Sequence, residues 1–195
     1  MKHILIMRQL AVIALILSAV FTGVLQCAAE PVTIYGLAFP DRIGGASRGD
    51  VENFELANPG LGSRVRYHLP GWAIDIYIYD LKLTSIPDRA DSEVIKAHLE
   101  QAKGDIVILG QRGTYRNVSF KTNYTIHDAR NRPQLACASY TFIRSSNQNV
   151  DSFVCVTGWH NKFVKFRMTT LVHAASANES QSFLKAWVKV LWPGG

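Results

Sequence analysis

One serine lies in a pattern that is typical of hydrolase nucleophiles. The residues 45–49 match G-x-S-x-G, in which Ser47 would attack an acyl carbon. That role needs a strand that enters the serine turn, a helix that leaves it, and an acid and a histidine further along the chain. Here the stretch from Pro40 to Gly44 separates the preceding strand pattern from Ser47, and no helical pattern follows. We therefore disfavour a serine hydrolase, and loss of hydrolytic activity in a Ser47→Ala variant would revive it.

The histidines complete no metal site or catalytic set in the sequence. Neither H-x-x-x-H nor HExxH occurs among those that follow residue 30. His127 and Asp128 would need a nucleophile from elsewhere to act as a base and its orienting group. His98 lies beside the apolar stripe of a predicted helix, so we interpret it as a partly buried structural residue. We predict no metal, cofactor or catalytic residue.

The two cysteines beyond the N-terminal segment are predicted to form a disulfide. Cys137 and Cys155 each lie in a strand-like stretch, and the polar run 145–147 suits a hairpin loop between them. That loop places the cysteines opposite each other on antiparallel strands, at the separation that a disulfide needs. Such bridges persist outside the cytosol, and this one should stabilise the fold by about 3 kcal/mol. The alternative is a pair of buried free thiols.

Residues 1–29 are predicted to be a secretory signal peptide. Lys2 and Arg8 form a positive head, the run from Leu10 to Leu25 is almost entirely apolar, and small residues end at Ala29. Residues 30–195 would then form a single periplasmic or secreted domain. A retained membrane anchor is one alternative, although the run is shorter than the roughly 20 residues of a spanning helix. Lipid attachment at Cys27 is the other, and comparing palmitate labelling of wild type and Cys27→Ser would test it.

The charge of the mature chain is modest. Removal of Lys2 and Arg8 leaves 19 basic and 15 acidic residues, a net charge of +4. No dense basic cluster indicates nucleic-acid binding. Two pairs of cations, Arg64 with Arg66 and Lys165 with Arg167, each occupy one face of a strand. We interpret them as solvated faces, with an acidic partner or an anionic lipid surface as the alternative.

Three residues are our candidates for a ligand or partner patch. Tyr77 and Tyr79 alternate with isoleucines in a predicted strand, and we expect them to pack under a helix unless they are exposed. Arg48 belongs to a Gly-rich loop whose amides would suit an anion. Arg48 also begins an Arg-Gly-Asp tripeptide, which we interpret as an ordinary turn.

Two helical patterns interrupt a series of strand patterns. The first runs over residues 92–109 and includes Gly104, with Gly110 as the residue after its end; the second follows a capping box at Ser176–Glu179. The predicted strands are Val32–Phe39, Val51–Leu56, Ser63–Leu69, Trp72–Asp80, Tyr115–His127 and three more between Ala136 and Leu171. The last turn, His160–Lys162, would place Trp159 opposite Phe163. This order predicts an α+β fold with an antiparallel sheet flanked by helices.

The order of elements resembles the PsbP-like group, which includes many uncharacterised bacterial envelope proteins. The resemblance is carried by Tyr35–Pro40, by Trp72–Asp80 and by the closing helix with Phe183 and Trp187. It implies an α/β/α sandwich and a non-catalytic binding or assembly role. No functional residue of the group can be matched to a position here.

We therefore expect an envelope protein that binds a protein partner or assists assembly. The alternative is a carrier that holds a small molecule or lipid between the sheet and the helices. The sequence does not identify the partner or the ligand.

Overall fold

The computed structural model of the chain describes residues 31–172 and 177–194. The predicted signal peptide, the lipid-attachment alternative at Cys27 and the capping residue Ser176 lie outside these residues. Neither helix of the described part has the length and apolarity that a membrane-spanning helix requires.

Eight strands form one antiparallel sheet and two more form a separate hairpin. The sheet order is β3-β4-β5-β6-β10-β9-β8-β7, and the hairpin pairs β1 with β2. The strands are β1 Val32–Ile34, β2 Leu37–Phe39, β3 Arg42–Ile43, β4 Ala46–Asn53, β5 Ser63–Leu69, β6 Trp72–Tyr79, β7 Tyr115–His127, β8 Pro133–Arg144, β9 Asn149–Trp159 and β10 Lys162–Leu171. The helices are α1 Glu93–Gln111 and α2 Ala177–Leu191. The predicted α+β class is therefore observed.

The helices lie on opposite faces of this sheet. On β6, Ile74, Ile76 and Ile78 belong to the apolar cluster that contains the buried residues of α2. Tyr79 belongs to the cluster of α1, because successive side chains of a strand point to opposite faces. The architecture is the predicted sandwich of a sheet between helices.

The N-terminal part of the chain differs from the prediction. The stretch 32–39 is not one strand: Tyr35 and Gly36 have φ values of 51° and 86° and turn the chain between β1 and β2. Positive φ at both central residues is typical of the type I′ turn of a two-residue hairpin.

The Gly-rich loop predicted around Arg48, over residues 41–50, is instead mostly strand. Gly44 and Gly45 have φ values of 55° and 85° and join β3 to β4 in a second tight hairpin. Glycine adopts such backbone angles without steric cost. Ser47 and Arg48 consequently lie on a strand, as does the Arg-Gly-Asp tripeptide.

Helix α1 begins as predicted and ends slightly later. The Ser92 hydroxyl accepts a hydrogen bond from the backbone N–H of Ile95 at 3.3 Å, which satisfies one free donor of the first turn. The helix passes through Gly104 and Gly110 to Gln111. A Cβ on Gly110 would lie 2.9 Å from the Val118 side chain, so this glycine permits close packing on β7 and is not the residue after the helix end.

The two C-terminal hairpins test the predicted registers. Cys137 pairs directly with Cys155, and their sulfur atoms are 2.09 Å apart, as a disulfide requires. The second register was wrong by one residue: Trp159 pairs with Lys162, and Phe163 pairs with Gly158. The turn contains only His160 and Asn161, both at positive φ, and not three residues.

Candidate functional site

A cleft opens on the α1 side of the sheet because α1 covers only part of that face. The helix packs on β7, β8 and β9, and the sheet continues beyond it through β10, β6 and β5. The resulting cavity has a volume of about 360 Å³. Its lining residues are Phe54, Leu61, Tyr77, Tyr79, Leu81, His98, Gln101, Asp105 and Lys165. Such a mixture of apolar walls and a few converging polar groups is typical of small-ligand sites.

The ammonium group of Lys165 lies among aromatic rings on the sheet side of the cleft. Its Nζ is 5.0 Å from the ring centre of Tyr77 and 5.3 Å from that of Tyr79, within cation–π range. Lys165 is half-buried, and no carboxylate of the described residues forms an ion pair with it within 4.0 Å. Burial lowers the pKa of Lys165, while the negative charge of Asp105 across the cleft acts in the opposite direction.

A hydrogen-bonded chain fixes the back of the cleft. The Tyr79 hydroxyl and Nε2 of His98 are 2.6 Å apart, and Nδ1 of His98 lies 3.2 Å from Oε1 of Gln101. Both contacts are satisfied when neutral His98 accepts from Tyr79 and donates to Gln101. Burial lowers the pKa of His98, which favours that neutral form. The His98 ring also stacks on Phe163 at 3.9 Å. These contacts hold the wall of the cleft in one conformation.

Two loops supply the apolar part of the lining. The loop after β4 carries Phe54 and Leu61, and the loop after β6 carries Leu81. The carboxylate of Glu55 shapes the first loop by accepting hydrogen bonds from the backbone N–H groups of Gly60 and Gly62, at 3.0 and 2.8 Å. Leu61 is 45% exposed at the edge of this lining.

The neighbouring cations of the same sheet face differ from Lys165 because they have partners. Arg64 pairs with Glu52 at 2.7 Å, and Arg66 pairs with Asp50 at 3.3 Å. Arg167 donates to the Tyr115 hydroxyl at 2.6 Å. The expected solvated face is therefore an ion-pair network, and it ends at an ammonium that lacks a close carboxylate.

The cleft unites only two of the three patch candidates. Tyr77 and Tyr79 line it together, and Tyr79 is almost completely buried. Arg48 pairs in register with Tyr67, whose side chain belongs to the α2 cluster on the other face. There it donates to the Phe39 carbonyl oxygen and lies 4.0 Å from a carboxylate oxygen of Asp41.

Sequence reasoning missed Lys165, Asp105 and Gln101 as members of this site. A usable signal was present on α1, because His98, Gln101 and Asp105 follow one another at steps of three and four residues. Residues with that spacing share one face of a helix. This polar stripe is shorter and less regular than the apolar stripe beside it, which alone predicts the helix.

The other chemical candidates are not assembled into sites. Ser47 lies on β4 opposite His68 of β5, with no strand-to-helix turn at the serine. The carboxylate of Asp128 accepts from the backbone N–H groups of Arg130 and Arg132, so it organises a turn. In residues 31–172 and 177–194, no group of three or more His, Cys, Asp or Glu side chains could hold a metal ion.

Two further cavities are also lined by polar side chains, but none of these is a half-buried cation. One, of about 580 Å³, lies between β7 and α2 and includes Lys185; the other, of about 520 Å³, lies beside the first turns of α1 and includes Lys96. Both lysines are exposed, and Lys96 pairs with Glu93 at 2.7 Å. Neither cavity presents a half-buried charge comparable with Lys165.

Comparison with known proteins gives a likeness of fold. No protein-family model matches the chain, and no curated protein matches it. The solution structure of cyanobacterial PsbP from Synechocystis sp. PCC 6803 is similar over 80% of this chain and 81% of that one, with 12% identity and a TM-score of 0.41. A crystal structure of a protein of unknown function from Pseudomonas aeruginosa is similar over 80% and 88%, with 10% identity and a TM-score of 0.35.

The first of these structures belongs to the PsbP-like group that the sequence resembles. No statement about the function of this chain follows from either likeness.

Proposed function

We propose that the chain is a non-catalytic, extracytoplasmic binding protein that holds a small ligand in the cleft beside α1. The observation that carries this proposal is the half-buried ammonium of Lys165, which lies between two tyrosine rings without a close carboxylate. Charged groups withdrawn from water are costly unless something pairs with them. A bound ligand would provide that pairing.

The extracytoplasmic location is supported by the disulfide and by the apolar N-terminal segment. The bridge between Cys137 and Cys155 is buried within the sheet, and such structural disulfides are typical of oxidising compartments. The segment 1–29 has the composition of a secretory signal.

Docking of a protein partner at the same place is the second candidate. Leu56, Leu61 and Leu83 lie on the two loops next to the cleft and are 91%, 45% and 47% exposed. Exposed apolar groups that cluster beside a concave site are typical of interaction surfaces. A partner that inserted a side chain into the cleft would cover them, and this would be an assembly role.

Native mass spectrometry of the processed protein, purified gently from the extracytoplasmic fraction, tests the proposal. We expect a ligand mass on the wild type that disappears in Gln101→Trp, because the indole would fill the cleft. Gln111→Trp is the matched control, since Gln111 is exposed on the same helix and does not line the cleft. A bare chain mass for the wild type would contradict ligand binding and leave partner docking as the better candidate.

A further inference from the structure

The structure assigns a ligand class to this cleft: we infer that it binds an amphiphilic monocarboxylate of about ten non-hydrogen atoms, with its carboxylate against Lys165 and its apolar chain against Phe54, Leu61 and Leu81. The inference rests on the proposed ligand-binding function and makes it chemically specific.

The charge distribution selects an anion. Among the cations of this sheet face, Arg64 and Arg66 already have carboxylate partners. No carboxylate in the described part of the chain lies within 4.0 Å of Lys165, which has two tyrosine rings at 5.0 and 5.3 Å. An incoming carboxylate would form a charge-assisted hydrogen bond with Nζ where water is partly excluded. A cationic ligand would instead be repelled by Lys165 and by Arg167 beside it.

The opposite wall limits the ligand to a single negative charge. Asp105 lines the cleft from α1 and faces Lys165 on β10. A phosphate dianion would need a second cation or a nest of backbone N–H groups in the lining, and Arg167 is not among the lining residues. The Asp105 carboxylate would also repel it. One ammonium, with the Asp105 carboxylate across the cleft and outside the 4.0 Å ion-pair range, suits a monoanion.

The lining places the polar and apolar parts in sequence along β6. Lys165 pairs in register with Tyr77, Tyr79 follows on the same face, and Leu81 is the second residue beyond the end of the strand. Phe54 and Leu61 add apolar surface from the loop after β4. A ligand held at Lys165 by its carboxylate therefore runs past two aromatic rings into an apolar environment.

The volume sets the size of the ligand. A cavity of about 360 Å³ lies near the lower end of the usual range for small-molecule sites. At roughly 30 Å³ per non-hydrogen atom, the share of a water molecule in the liquid, it holds on the order of ten such atoms. This agrees with a medium-chain carboxylate, whereas most of a complete two-chain lipid would lie outside the cleft.

Calorimetric titration of delipidated full-length mature protein with octanoate and with its neutral analogue octanol tests the inference. We expect octanoate to bind at least tenfold more tightly than octanol. In Lys165→Met the octanoate affinity should fall at least tenfold, while the octanol affinity should stay within twofold of wild type. Lys165→Gln provides a second neutral variant if Lys165→Met does not fold, and Lys189→Met on the exposed side of α2 is the control.

The outcomes separate the inference from the proposed function. Equal affinities for octanoate and octanol, or unchanged octanoate binding in Lys165→Met, would overturn the monocarboxylate assignment. If Gln101→Trp still abolished binding of both probes, the cleft would remain a ligand site of another class. If the wild type carried a ligand mass in native mass spectrometry but bound neither octanoate nor octanol, the monocarboxylate assignment would be overturned and the ligand-binding function would stand. If the wild type showed neither a ligand mass nor binding of either probe, the proposed function itself would be overturned.

Discussion

Helix α2 closes the centre of its face of the sheet and leaves a cavity toward β7, whereas helix α1 leaves the β10–β6–β5 part of its own face open. On the α2 side, Phe183 and Trp187 are fully buried, and Trp187 contacts the rings of Phe39, Tyr67 and Phe166. The β1–β2 hairpin completes this cover, because Leu37 and Phe39 belong to the same cluster. The side chains at the centre of that face are consequently committed to packing.

The α1 side has the same sheet beneath it but a different distribution of polar groups. The helix buries Ile95, Leu99 and Ile106 over β7–β9. The neighbouring stripe of the helix, which contains His98, Gln101 and Asp105, borders the cleft. There His98 and Lys165 are withdrawn from water without being sealed in a core. The comparison teaches that the centre of one face is filled by packed side chains, while the other face has its own apolar cluster and an open cleft beside it.

The largest expected contrast is between the centre of the closed face and the rim of the open one. Trp187→Ala should lower the free energy of unfolding by about 3–5 kcal/mol, because a large buried ring leaves a cavity. Leu61→Ala should change it by about 0.5 kcal/mol or less, since this side chain is 45% exposed. Urea unfolding measures both values. Similar losses for the two variants would show that the faces do not differ in this way.

The disulfide belongs to the closed face, and its loss should have the next largest effect. Cys137 and Cys155 are buried in the α2 cluster. Replacing both by alanine should cost about 3 kcal/mol, since the bridge restricts the unfolded chain. Urea unfolding with and without reductant measures this, and the double variant should be insensitive to reductant. A wild type whose stability reductant does not change, under conditions where mass spectrometry shows free thiols, would contradict the prediction.

The features that the sequence predicted well depend on local pattern. The alternation of isoleucines with other residues defined β6, and the apolar stripe of α1 outweighed the cost of about 1 kcal/mol that Gly104 brings to a helix. The register of Cys137 with Cys155 followed from a polar loop of recognisable length. In each case the nearby residues contain enough information to determine the structure.

The predictions were wrong where an unusual backbone conformation or the tertiary packing of a helix determines the structure. A tyrosine at positive φ is unusual, so the pattern at Tyr35 predicts a continuous strand where the structure has a turn. The glycines at 44 and 45 likewise predict a loop where the structure has a tight hairpin. Alternation assigned Lys165 to a face, but only the position of α1 determines which part of that face stays open. The cleft could therefore not be predicted from the pattern of β10 alone.

Within the open face, the hydrogen bond between Tyr79 and His98 should contribute measurably. Tyr79→Phe removes the donor at 2.6 Å from Nε2 and leaves a buried acceptor unsatisfied, at a cost of about 1–3 kcal/mol. Tyr140→Phe is the matched control, because Tyr140 is buried on the same face and its hydroxyl makes no hydrogen bond within the described residues. Urea unfolding should show a clearly smaller loss for the control. Equal losses would mean that this hydrogen bond does not hold the cleft wall.

The smallest effect should be a pH dependence that originates at His98. Burial holds the pKa of His98 below its ordinary value of 6.5, with Lys165 acting in the same direction and Asp105 in the opposite one. As the pH falls from 6.5 toward the lowered folded-state pKa, the unfolded chain binds more protons than the folded one. Stability is therefore lost in that window, and below the folded-state pKa no further loss arises from this group.

Replacing His98 with glutamine should remove this contribution while keeping a side chain that can accept from Tyr79. We would measure the free energy of unfolding at about pH 7.5 and about pH 5, which lie on either side of an ordinary histidine pKa. The difference between the two values should be smaller in His98→Gln than in wild type. His127→Gln, altered at an exposed residue of β7, is the control and should follow the wild type. Parallel pH curves for His98→Gln and wild type would mean that the α1 face does not withdraw His98 from water. In that case the open face would differ from the closed one only in stability, and the argument for a preorganised cleft would lose its electrostatic support.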